Sequence, residues 1–184
     1  MIAFDDGRFT FRKGRVALAG VIVRLPSYVE GAIVTDCEID GTDGTGRVID
    51  AVTKSRFREQ IRLIMLDGIS CGGFNVYDPG LIHGRTGIPV VSVTRSEPDL
   101  RQMESALRMH FADWRERFSL ISKYRPCPAR RQGFRLFESH VGISDEDALD
   151  LIGASIVRGN YPEPIRLAHI FAGAISSGES RGKA

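Results

Sequence analysis

Cysteine is scarce in this chain, tryptophan scarcer, and neither sign of charge is in clear excess. The three cysteines, Cys37, Cys71 and Cys127, are odd in number and form no C-x-x-C pair. They argue against a disulfide framework or a structural zinc site and read as thiols in a reducing compartment. With 25 Lys and Arg against 23 Asp and Glu, net charge points to no polyanionic partner, so a nucleic-acid surface has to come from local clustering. No apolar run approaches the roughly 20 residues that span a bilayer, and MIAFD at residues 1–5 reads as a strand with no basic-then-apolar leader. The expectation is a cytoplasmic protein without membrane contact; oligomeric state is not legible.

What is present is enough for one core: 184 residues, 42% of them apolar, read as a single domain over 1–184 with a disordered tail from about 176. Strand patterns rich in β-branched residues occupy 1–5, 15–25 and 30–39 and predict an antiparallel meander. Val48, Ile49 and Val52 then fall at helical spacing within 44–57. The unbroken apolar runs IRLIML and IPVVSV read as strands buried on both faces, with a Gly-rich loop and a short helix between them. This order predicts an α/β fold: a mixed five-stranded sheet, three antiparallel strands plus two parallel ones, flanked by helices. The second half reads as mainly helical. Ser96 with Asp99 and Ser144 with Asp147 resemble capping boxes, FRLFESHV reads as a last strand, and Pro162 and Pro164 open a final helix.

Chemistry is expected where acids end strands. If strands one and four are central neighbours, Asp5 or Asp6 approaches Asp67, and two facing carboxylates with no base between them call for a cation. Mg²⁺ or Mn²⁺ suits such oxygen ligands and keeps waters, leaving room for a phosphate. The competing reading is plain turn chemistry, since Asp6-Gly7 and Asp67-Gly68 are also ordinary strand ends. Side-chain alternation lets only one of Asp5 and Asp6 face the site, and Asp5 is favoured.

The segment QIRLIMLDGISCGGFNVYDPGLIHGRTGIPVVSVTRS resembles the endonuclease V family, where a buried strand ends in Asp-Gly and a later strand delivers a basic residue. HVGISDEDALDLIGASIVRGNYPEPIRLAHIFAGAI is similar to that family's last two helices, including its Pro-Glu-Pro, Arg and Ala-His pattern. The similarity extends to a largely archaeal, uncharacterised branch of the superfamily and covers most of the chain. It implies a ribonuclease H-like fold and metal-dependent phosphodiester hydrolysis. It further implies Asp67 and Asp5 or Asp6 as metal ligands and Arg95 beside the scissile phosphate. The family's third acid and its aromatic wedge have no counterpart in EIDGTDGTGRVIDAV; Asp43 is the nearest substitute and equally a helix N-cap. His140 lies one position from a family His and equally reads as an edge residue, while Arg166 and His169 read as pinning the last helix to the sheet.

Basic residues cluster twice. Lys54, Arg56, Arg58 and Arg62 surround the end of the first helix, and Lys123, Arg125, Arg130, Arg131 and Arg135 precede the last strand, with Tyr124 and Phe134 interleaved. Either is a solvated face or a phosphate-tracking surface. The GGFN sequence at 72–75 offers backbone N–H groups to an anion but lacks the Gly-Lys-Ser/Thr ending of a phosphate loop, and a tight turn explains it as well. Two functions follow: a divalent-metal-dependent nuclease acting on DNA or RNA through Asp5, Asp67 and Arg95, or a nuclease-derived binding module without catalysis.

Overall fold

The computed structural model describes residues 1–10, 14–131 and 134–180. The meander forms as its β-branched patterning dictates: β1 (Ile2–Asp6), β2 (Arg15–Arg24) and β3 (Tyr28–Glu38) pair antiparallel in sequence order. Helix α1 (Gly44–Thr53) leads back across the sheet to β4 (Ile64–Asp67). A small hairpin, β5 (Ser70–Cys71) with β6 (Asn75–Val76), and helix α2 (Pro79–Thr86) connect β4 to β7 (Val90–Thr94). β1, β4 and β7 run parallel, so β1 and β4 are the central neighbours expected from the sequence.

Helices α3 (Leu100–His110) and α4 (Trp114–Lys123) follow, then β8 (Cys127–Arg131) and β9 (Phe134–Val141), then α5 (Asp145–Ser155) and α6 (Glu163–Ser177). β9 pairs antiparallel with β7, and β8 with β9, giving the order β3-β2-β1-β4-β7-β9-β8. The expected five strands are therefore the first five of seven. β8 was not expected because its CPARR sequence reads as a connection; an edge strand accepts proline and charge that a central one rejects. The α3 cap also differs: Asp99, not Ser96, accepts from the N–H groups of Arg101 and Gln102, both at 3.0 Å. Ser144 does cap α5, accepting from Asp147 N–H at 3.2 Å and donating to its carboxylate at 2.7 Å. Ser176 and Ser177, placed by the sequence in a disordered tail, are the last turn of α6, and Ser176 Oγ accepts from Arg8 N–H at 3.0 Å; residues 181–184 lie outside the described residues.

Alternation sorts the sheet into two buried faces. Ile2, Phe4, Ile64 and Leu66 pack under α1 and α2, while Ala3, Met65, Val91 and Val93 pack under α5 and α6. Gly20 is the price of close packing on the first face: a Cβ there would stand 2.6 Å from the Phe4 ring. A third cluster joins α3 and α4 to the β5–β6 hairpin through Ile69, Val76, Leu107 and Ile121. Arg117 of α4 is buried at its edge, donating to the Gly41 and Phe74 carbonyls at 2.8 and 2.6 Å and to the Asp113 carboxylate at 2.9 Å. Cys37 and Cys71 are buried with their Sγ atoms 3.4 Å apart, and Cys127 is exposed.

Candidate active site

Parallel strands leave their carboxyl ends together, and there the acids collect. The register pairs Phe4 with Leu66, so the next residues, Asp5 and Asp67, end adjacent strands side by side. They share the face of Ala3 and Met65, toward α6, whereas Asp6 continues the opposite face of Phe4. Asp5, Asp6 and Asp67 all line one cavity of about 360 Å³, whose far wall includes Ile69, Pro98 and Met103.

Each carboxylate is held by the chain. Asp5 Oδ1 accepts from Asp6 N–H and its Oδ2 lies 2.8 Å from His169 Nδ1 on α6. Asp67 Oδ1 accepts from the Tyr161 hydroxyl at 2.5 Å, and that hydroxyl also lies 3.2 Å from the Val93 carbonyl. The Arg95 guanidinium stacks 4.2 Å from the Tyr161 ring centre. Asp6 turns away to accept from Gly72 N–H at 3.0 Å.

These surroundings set the charges. Burial first, then the Asp67 and Asp6 carboxylates, push Asp5 up to about 8, against the opposing pull of Asp6 N–H and Arg95. Burial raises Asp6 to about 6, with the Gly72 N–H opposing. Asp67 is also raised by burial, and the Tyr161 hydroxyl, Arg95 and His169 work to keep it ionised. Burial and the Asp67 charge push the Tyr161 phenol up, keeping it a proton donor.

Among the described residues no three His, Cys, Asp or Glu side chains converge closely enough to enclose a metal ion. Two oxygen donors that resist joint ionisation do fit a hard divalent cation that keeps most of its waters. Asp43 is not brought to this pair. Its partial burial is outweighed by the Glu38 N–H, Asn75, Arg47 and Arg15, which hold it down at about 2. It sits at the N-terminus of α1 without a side-chain cap bond. His140 stands elsewhere, between Glu138 Oε2 at 3.1 Å and Asp145 Oδ1 at 3.3 Å.

The basic candidates separate as well. Arg58 donates to the Thr86 carbonyl and Arg131 pairs with Asp150, so both are engaged by their own chain. Arg56 stacks on Phe57 at 4.7 Å, and Arg130 is exposed opposite Arg135 on the β8–β9 edge. In the GGFN sequence, Gly72 and Gly73 take φ of +51° and +88°, making the tight turn. Two of its N–H groups are spent internally: Gly72 donates to Asp6 and Phe74 to Asp40 at 2.9 Å.

Tyr161 went unread in the sequence, and His169 was read only as a helix pin. His169 does tie α6 to β1, but through Asp5 itself. The RGNYPEPIRLAH segment held the signal, a phenol and an imidazole eight residues apart at the start of a helix; what it could not show is that this helix crosses the acid-bearing strands.

A mixed sheet of parallel and antiparallel strands flanked by six helices is the endonuclease V-like fold of α/β proteins. An endonuclease V from Ciona intestinalis, solved with a 24mer DNA containing inosine followed by ribo-adenosine, superposes with TM-score 0.59 at 12% identity. That match covers 93% of this chain and 82% of that one. Within this class the chain belongs to the endonuclease dU family, whose model matches residues 1–176. A UPF0215 protein of Thermococcus gammatolerans is 43% identical over 98% of this chain and 93% of its own length. A crystal structure of an Archaeoglobus fulgidus protein of unknown function has TM-score 0.86 and 35% identity, covering 97% and 98% of the two chains. No helix among the described residues is long and apolar enough to cross a membrane.

Proposed function

We propose that this protein is a divalent-metal-dependent nuclease that hydrolyses phosphodiester bonds in nucleic acid. The observation carrying this reading is the register-matched pair of a buried Asp5 and a half-buried Asp67, each carboxylate oriented by a dedicated partner from the C-terminal segment. Asp5 and Asp67 would hold Mg²⁺ or Mn²⁺, with Asp6 adjacent and Asp43 outside the set. When bound, the cation supplies Lewis acidity at the phosphate and activates the attacking water. His169 and Tyr161 fix the two carboxylates, and Arg95, stacked on Tyr161, offers its guanidinium to the charge that develops on the phosphate.

The family's description makes a deoxyuridine-containing strand the first substrate to try. The test is a Mn²⁺ and Mg²⁺ titration by calorimetry on the protein and on Asp67→Asn, followed by cleavage of that strand. Binding and cleavage are expected in the parent and their loss in the variant. Cleavage by Asp67→Asn at the parent rate removes Asp67 from the mechanism.

A second reading, a nucleic-acid-binding module without catalysis, is favoured by one observation: the nearest substitute for a third acid, Asp43, is held by its own cations. Absence of metal binding in both proteins, with oligonucleotide present, would favour that account.

A further inference from the structure

Beside the acid pair lies a second cavity, of about 380 Å³, with the opposite electrostatics. Its lining includes Arg95, Arg135, Arg158, Arg166, Asn160 and Tyr161, four guanidinium groups around one hollow and no acid among the lining residues. Arg166 is neutralised by Glu163, at 2.5 and 2.7 Å. Arg135 and Arg158 are exposed and have no ion-pair partner among the described residues. Two of the four cations, Arg135 and Arg158, thus stand without an anion from the chain, and like charges in one hollow are unfavourable until an anion enters. Planar guanidinium groups with an amide beside them are suited to phosphate oxygens.

Two residues join this cavity to the acids. Tyr161 forms part of its wall while its hydroxyl holds Asp67, and Arg95 lines it while acting on the charges of Asp5 and Asp67. An anion seated here is therefore next to the reacting phosphate. We propose that the arginine cavity is a phosphate subsite holding the phosphodiester of the nucleotide that neighbours the scissile bond, which sets how far the strand is advanced over the acid pair. The identity of the strand rests on the nuclease reading, but occupancy of the subsite does not require turnover.

The experiment is fluorescence anisotropy of a labelled single-stranded oligonucleotide, with chelator present and salt varied. It compares the parent with Arg158→Gln and with Arg135→Gln/Arg158→Gln. Arg95 and Arg166 are left alone because one belongs to the proposed reaction and the other is paired. The double variant is expected to bind about tenfold more weakly, with a salt slope shallower by roughly 0.7, the contribution of one phosphate on a single strand. Arg24→Gln/Arg85→Gln is the charge-matched control, since Arg24 ends β2 and Arg85 lies on α2, outside both cavities. Circular dichroism checks that each variant is folded.

Unchanged affinity and slope in the double variant, or an equal loss in the control, would overturn the subsite. Inorganic phosphate forms a separate arm: a phosphate-dependent thermal shift that vanishes in the double variant while oligonucleotide affinity stays the same assigns the cavity to free phosphate and overturns the strand assignment. Because no metal is present, failure of the nuclease reading shows as lost cleavage with this binding difference intact. Failure of the subsite shows as intact cleavage with no binding difference.

Discussion

Asp5 is the residue at which folding and function pull in opposite directions. An acid whose folded pKa stands above its unfolded value binds its proton more tightly when folded. Its contribution therefore favours the fold below about 4 and is lost as pH rises toward about 8. Asp6, raised to about 6, acts in the same sense over a narrower window. Asp43 has the other sign: held at about 2, it supports the fold above about 4 and loses that support as pH falls. Without divalent cations, melting temperature should fall between pH 5 and 8, less steeply in Asp5→Asn, and added Mg²⁺ or Mn²⁺ should recover it at pH 8. A parent and variant with parallel profiles would mean that Asp5 does not carry this strain. The strand-ending acids were legible because Asp-Gly after an apolar run marks both a strand end and an available carboxylate. Their partners were not, since Tyr161 and His169 lie 94 and 164 residues away in sequence and no local pattern records such a meeting.

At the scale of elements, a buried cation ties the α3–α4 hairpin to the β5–β6 hairpin and the loop before α1. Arg117 satisfies two carbonyls of the 41–74 region as well as Asp113, and it stacks 4.5 Å from the Phe111 ring. Arg117→Met keeps much of the volume but strands those acceptors, and should cost about 3 kcal/mol in urea denaturation. A change below about 1 kcal/mol would show that water replaces the guanidinium without loss. Gly20→Ala should also destabilise the protein, because the added methyl meets an aromatic ring inside a close-packed sheet; a thermal melt reads it directly. The meander, the two central strands and most helices were legible because their periodicity is strong and their burial one-sided or complete. The hydrophobic signal fails at β8, whose only buried residue is Ala129. It misleads at α3, where Ser96 and Asp99 have capping-box spacing but Pro98 intervenes and the helix begins after Asp99.

For the whole molecule, packing divides the three thiols into two kinds. Native protein treated with an aromatic disulfide reagent should titrate one thiol, Cys127, and denatured protein all three. The hydrogen bond with the neighbouring Cys37 sulfur, then burial, raise Cys71 well above its ordinary value, which slows attack further. Two or more thiols reacting natively at a common rate would mean that the core around β3 and β5 opens readily.

The acid pair also has a history along the chain. Asp5 is made before Asp67, which ends β4, and their partners Tyr161 and His169 come only as the chain enters α6. A nascent chain carries both carboxylates long before it can orient either one. The orientation on which the proposed reaction rests therefore arises only after α6 has been made.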